Sequence, residues 1–343
     1  MIARVTLKDI AREAGLSVMT VSQILNGKAS HASPRNRELI HEIARRLNYQ
    51  PNLNARRLVT RKTNIIGLLE DSMAPSFQFD VTRELETLIT HAGYRLQIAM
   101  FHDDLNSITQ YINDFQGNGL TSVFCFAHSY PSFGHEIPKM LENFERVVFL
   151  EKPLIQTKFR YVSPDHFYNF FTVTSKLLQS GRKRIINIRA NYHDNAFFEA
   201  RRGLHDAYVA AGIEYEECFW LDQPTDGDTR EEATFNLESA LPYRPDALIL
   251  SNDSVVLQTY QVLKERGIRV PEDIALFSAT QSSYANLVNP SISGIDYNAS
   301  LLAKHLFKCM FQDAPVNVKP EMRNPVLPSV IVWRDSTGKM GQE

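Results

Sequence analysis

Seven short apolar runs, many of them β-branched, recur at residues 65–69, 96–100, 123–127, 147–150, 185–188, 247–250 and 274–277. Helix-length amphipathic segments at 81–92, 170–179, 200–211 and 255–266 lie between most of them. Strands that alternate with helices build parallel sheets joined by crossover helices, so this region reads as an α/β body. A single seven-stranded sheet satisfies the alternation, but the length and the turn-rich break at 163–165 fit two lobes better. Open α/β sheets bind ligands beyond the carboxyl ends of their strands, which in a two-lobed body means the cleft.

The first 62 residues follow another pattern. They hold twelve Lys and Arg against four Asp and Glu, a net of +8, which leaves −10 on the remainder of a chain whose total is only −2. A small basic head on an acidic body suggests a polyanion as the partner of the head, since each phosphate neutralised releases counterions.

Helix signals within the head are close together. Thr6 with Asp9 three residues later has the form of an N-cap with an acid in the first turn, and Leu7, Ile10, Ala11 and Ala14 recur at helical spacing until Gly15. Ser17 caps a second helix whose Val21, Ile24 and Leu25 face inward while Val18, Met19, Ser22 and Gln23 face away, until Asn26 and Gly27 stop it. Ser33 and Pro34 open a third, with Leu39, Ile40, Ile43, Ala44 and Leu47 along one face. Two short helices joined at a glycine form a helix-turn-helix, and an ordinary helical hairpin shares that spacing. The outward face of the second helix favours the DNA reading, because it mixes methyl and amide groups suited to base edges with hydroxyls suited to phosphates.

The stretches VTLKDIAREAGLSVMTVSQILNG and LNYQPNLNARRL closely resemble the head of the lactose and galactose repressor family, and SGRKRI, SND at 251–253, RVPEDIALF and VIVWRDST extend the resemblance over the body. It implies that Val18, Met19 and Gln23 read bases, and that Thr6, Thr20, Ser22, Asn26 and Asn52 contact the DNA backbone beside Leu7. Gln23 stands where Arg is most common in the family. A hinge helix over 52–59 is implied, with Ala55 and Leu58 entering the minor groove, where a leucine wedge kinks DNA by unstacking one step. The implied organisation is a head over 1–50, a hinge and linker over 51–62, and a periplasmic-binding-protein-like body over 63–338. Its first lobe spans about 63–162 plus 291–325 and its second about 163–290 plus 326–338.

Catalytic patterns fail on inspection. His41 and Glu42 begin an HExxH motif that meets Arg45 where its second histidine belongs, and Gly117 and Gly119 begin a GxGxxG that reaches Ser122 before a strand. There is no GxxxxGK[ST] loop and no GxSxG elbow. His193 beside Asp194 is read as a solvated loop or a ligand contact, and Cys125, Cys218 and Cys309 as reduced core thiols. Neither enzymatic activity nor a cofactor or metal is expected. No apolar run approaches the roughly 20 residues of a membrane span, and the start is charged, so a cytoplasmic, nucleoid-associated protein is expected.

The family's effector pocket implies Phe77, Asp165, Asn252, Asp253 and Thr280 as ligand contacts. Two charged anchors are replaced: Ala200 stands for an Arg, although Arg201 and Arg202 adjoin it, and Thr280 followed by Gln281 stands for an Asp. Losing two charge-assisted hydrogen bonds forfeits about 3 to 6 kcal/mol of affinity for a typical family sugar. The expectation is therefore a dimeric repressor of a palindromic operator, whose effector is related to carbohydrates but is not a simple hexose. The residues leave open an activator, a ligand-independent regulator, and a receptor working through a protein partner. The stretch at 338–343 has no leucine heptads, so a tetramer is not expected.

Overall fold

The computed structural model describes residues 5–25, 32–49, 63–72, 74, 76–128, 130, 132–190, 194–224, 229–281, 284–313 and 323–338. The expected hinge helix with Asn52, Ala55 and Leu58, and also Asn26 and His193, lie outside the described residues, as does the side chain of Asp253. The chain divides into two compact units, Met1–Lys62 and Thr63–Glu343.

Unit one holds α1 (Leu7–Ala14), α2 (Val18–Leu25) and α3 (Pro34–Arg46). Local chemistry fixes their ends. The Thr6 amide and hydroxyl both donate to Asp9 Oδ2, at 2.9 and 2.7 Å, which closes the start of α1. Gly15 ends that helix at φ 65°, a left-handed conformation that costs a side chain steric energy. Ser17 Oγ accepts from Thr20 N at 3.1 Å, and Ser33 Oγ from Asn36 N at 3.3 Å with Pro34 in the first turn. Ile10, Val21, Ile24, Ile40 and Ile43 form the shared core. Leu39 departs from the expected buried face of α3: it is 38% exposed, so that stripe is narrower than its apolar residues suggest.

Unit two contains two six-stranded sheets. The first lobe is built from β1 (Ile65–Asp71), α4 (Ser76–His91), β2 (Arg95–Phe101), α5 (Leu105–Gly117), β3 (Ser122–Cys125), α6 (Ile137–Met140), β4 (Arg146–Leu150) and β5 (Arg160–Pro164). The second is built from α7 (His166–Gln179), β6 (Ile185–Ala190), α8 (Asn195–Ala210), β7 (Trp220–Gln223), α9 (Arg230–Ala240), β8 (Ala247–Leu250), α10 (Asp253–Glu265), β9 (Ala275–Ser278) and β10 (Ser293–Asp296). The chain then returns to the first lobe with α11 (Ala299–Phe311), which packs on α4, and with β11 (Val326–Leu327), and ends in the second with β12 (Val330–Val332). Strand order is β11-β5-β4-β3-β1-β2 in one sheet and β12-β10-β9-β8-β6-β7 in the other, with only β10 and β12 antiparallel.

Three crossings therefore join the lobes, and their positions correct the expected boundaries. The first falls after Pro164, because β5 pairs through that residue with Leu327. The second falls after Asp296 instead of near 291, because Gly294 pairs with Ser278 in the second sheet. The third falls after Leu327 instead of at 326, since β11 still belongs to the first sheet. Hydrogen-bond register outweighs local composition at such short strands. Among the cysteines, Cys125 and Cys309 are buried, whereas Cys218 is only partly buried, packed at the margin of the core beside Glu216.

Candidate nucleic-acid interface and ligand cleft

On the head, the face of α2 turned away from the core carries Val18 at 41% and Met19 at 71% exposure, next to exposed Gln23. Burying both apolar chains against a partner removes them from water, which is what a thymine methyl offers. Thr20 and Ser22 are half-buried, and the Thr20 hydroxyl sits 2.8 Å from Ser17 Oγ at the start of α2. Thr6 is exposed at the start of α1 with its hydroxyl engaged by Asp9, and Leu7 packs partly against the head core. The fold thus brings Val18, Met19 and Gln23 to one outward helix face and Thr6, Leu7 and Thr20 to helix starts, while Ser22, expected to face away, is half-buried. Helix N-termini present unsatisfied N–H groups and a positive dipole end, both suited to phosphate.

In unit two, the residues expected to hold an effector occur at strand ends, and most have structural duties. Phe77 is buried and packs on Tyr297, their ring centroids 4.8 Å apart. Asp165 caps α7, its Oδ1 accepting from Tyr168 N at 2.9 Å, and Asn252 caps α10, its Oδ1 accepting from Val255 N at 3.1 Å. Capping uses one oxygen of each side chain and leaves the other polar atom available. Thr280 is buried, with its hydroxyl 3.4 Å from the Ser251 carbonyl.

None of the neighbours weighed against the two replaced anchors reaches in. Ala200 is fully buried in the core of the second lobe. Arg201 turns away to Glu217 at 2.6 Å, and Arg202 lies over the Phe167 ring at 4.4 Å while pairing with Glu199 at 2.7 Å. Gln281 Oε1 is taken by Arg334 Nη1 at 2.7 Å. Asp194, read from the sequence as part of a solvated loop or a ligand contact, is instead buried as the cap of α8 and accepts from Phe197 N at 2.7 Å.

The structure instead assembles a polar cluster where the lobes meet. His166, the first residue of α7, places Nε2 3.0 Å from Oε1 of Glu151, which follows β4, and the other Glu151 oxygen accepts from Ser163 Oγ at 2.6 Å. Burial works against protonating His166, but the Glu151 charge and hydrogen bond outweigh it and Asp194 adds to them, so its pKa lies above the ordinary value. His128 is buried, 2.7 Å from the Leu150 carbonyl, and burial holds its pKa below the ordinary value. Asn195 at the start of α8 donates from Nδ2 to the carbonyls of Lys152 and Pro153, at 3.0 and 2.8 Å, and so ties the second lobe to the first. Arg189, at the carboxyl end of β6, completes the group. A partial signal for these residues existed in the sequence: Glu151 and Arg189, like Glu70 after the first run, are charged residues that directly follow an apolar strand run at its carboxyl end.

Comparison with known proteins fits this arrangement. Residues 6–52 match the model of the bacterial regulatory proteins, lacI family, and residues 174–337 match a periplasmic binding protein-like domain. The chain is 25% identical over 329 residues to the HTH-type transcriptional regulator GalR of Escherichia coli (strain K12), covering 95% of this chain and 94% of that protein. It is 22% identical to catabolite control protein A of Staphylococcus xylosus, covering 97% and 99% respectively. The lac repressor dimer bound to operator and the anti-inducer ONPF superposes with a TM-score of 0.81 at 19% identity, covering 98% of this chain and all of that one. With a helix-turn-helix head, a two-lobed periplasmic-binding-protein-like body and relatives along nearly its whole length, the chain belongs to the lacI family of DNA-binding transcriptional regulators.

Proposed function

We propose that the protein is an effector-responsive repressor that binds a palindromic operator as a homodimer in the cytoplasm. The observation that carries the reading is the exposed Val18, Met19 and Gln23 face on a head of net charge +8. Val18, Met19 and Gln23 would read base edges in the major groove, while Thr6, Leu7, Thr20, Ser22, Asn26 and Asn52 position the head on the backbone and Ala55 and Leu58 enter the minor groove. Sequencing the genomic fragments retained by the purified protein tests it: enrichment of one palindromic sequence upstream of a few genes supports the reading, and fragments sharing no sequence sink it. Within that sequence, Gln23→Ala should relax the preference at one base position per half-site by about 1 to 3 kcal/mol, measured by binding to single-base operator variants.

Dimerisation follows from specificity, since one head contacts too few base pairs and two-fold symmetry doubles the contacts. Support comes from β2, the edge strand of the first sheet, where Ile98 and Met100 are each 45% exposed on the face opposite buried Ala99 and Phe101. An apolar edge of this kind invites pairing unless it is covered. A second copy is the occupant that a two-fold operator calls for. Ile98→Asp with Met100→Asp should shift the protein from dimer to monomer in sedimentation and weaken operator binding at least tenfold, while thermal melting of the body stays cooperative. A variant that remains dimeric would exclude this strand from the interface. The cleft, with Asp165, Asn252, Asp253 and Thr280 beside Phe77, is read as the effector site.

A further inference from the structure

Arg189 lies on β6, at the carboxyl end of the second sheet where the lobes meet, and its guanidinium carbon is 5.7 Å from the centroid of the Phe197 ring. Its Nε is enclosed and has no hydrogen-bond partner, and among the described residues no carboxylate pairs with it. Nearby acids are already engaged. Both oxygens of Glu151 are used, by His166 at 3.0 Å and Ser163 at 2.6 Å. Asp194 Oδ1 accepts from Phe197 N at 2.7 Å, and Asp222, directly across from Arg189 in the sheet, accepts from Trp220 Nε1 at 3.0 Å. The Arg189 charge nonetheless bears on His166 and Tyr297, both in the inter-lobe cluster, so it is felt on the cleft side of β6.

A partly buried cation with an enclosed, unpaired Nε and no paired carboxylate is costly, and the cost falls when an oxyanion arrives. A guanidinium is planar and always charged, and its fork of donors matches the two oxygens of a carboxylate or phosphate. A neutral sugar hydroxyl offers a single weaker acceptor. We infer that the cleft takes a small molecule bearing an oxyanion, carboxylate or phosphate, and that Arg189 is its anchor. The inference rests on reading the cleft as the effector site. It also accounts for Ala200 and Thr280, because a cation supplied from β6 makes the usual charged anchors unnecessary for such a ligand.

The test uses the full-length protein at fixed ionic strength, titrated calorimetrically with inorganic phosphate, glucose 6-phosphate, gluconate and glucose, and in parallel assayed for binding to its operator. At least one of the three anions should bind, and glucose at the same concentration should not; which anion binds separates phosphate from carboxylate. Arg189→Met should weaken that binding at least tenfold and Arg189→Lys less, with both variants melting close to the parent when no ligand is added. Equal binding of glucose, no binding by any anion, or anion binding that survives Arg189→Met would overturn the anchor. An Arg189-dependent anion that leaves operator affinity unchanged would confirm the anion site and sink the effector reading. A neutral ligand that shifts operator affinity independently of Arg189 would do the reverse.

Discussion

Raising salt from about 50 to about 200 mM should weaken operator binding by on the order of a thousandfold or more, measured by titrating a labelled duplex at each concentration. The size follows from counterion release, since each phosphate neutralised adds roughly 0.9 to the slope of log affinity against log salt, and six contacts across a dimer suffice. The head's +8 supplies those contacts, while the body, at −10, adds repulsion at long range. Part of the head's charge is already used internally. Arg12 pairs with Asp9 at 2.6 Å and Arg46 pairs with Glu13, so the slope should fall short of one unit per basic residue. Neutralising either pair by Asp9→Asn or Glu13→Gln frees a cation and should steepen the response, although Asp9→Asn also weakens the start of α1. A flat salt response would remove the polyanion as the partner of the head.

The head was legible in the sequence because every signal there is local. Caps at Thr6, Ser17 and Ser33, the Gly15 stop and the inward stripes each depend on residues within one or two turns, and the fold honours all of them except Leu39. The body was legible where strands are continuous apolar runs, including β2, one face of which stays exposed. β5, β7, β10, β11 and β12 are short or polar, with sequences such as RYVSP, WLDQ and SGID, and their strand character comes from pairing with distant partners. The same reason hides the lobe crossings. Resemblance singled out Asp165 and Asn252 as ligand contacts, but it did not show the helix-capping bonds they make, which follow from backbone geometry at the strand-to-helix turns. The His166 and Glu151 pair joins residues 15 positions apart across the lobe junction. No periodicity encodes that distance. Arg189 was missed because a single charge at the end of an apolar run ordinarily marks a strand leaving the core for solvent.

Gly203→Ala should cost the body about 3 kcal/mol and lower its melting temperature by roughly 6 to 12 °C, although it adds one methyl group to a helix that glycine disfavours. Helix propensity alone predicts the opposite sign, by about 1 kcal/mol. Packing decides against it: a Cβ at 203 would stand 2.3 Å from the Phe167 carbonyl oxygen and 3.0 Å from Phe171 N. Both are backbone atoms of α7, and a backbone pinned within a helix cannot turn aside as a flexible side chain would. α7 and α8 would have to part. Their starts carry His166 and Asn195, so parting the helices also displaces the contacts with Glu151, Lys152 and Pro153 that tie the lobes together. The loss should therefore reach ligand response as well as stability, and Gly203→Val should leave the second lobe unable to fold. Gly117→Ala is the matched control, since it too lies in a helix but a Cβ there meets nothing within 4 Å. It should be neutral or stabilise by about 0.4 to 1 kcal/mol. If Gly203→Ala melts within about a degree of the parent, the close approach of α7 and α8 is not a constraint, and packing at that crossing has room to relax.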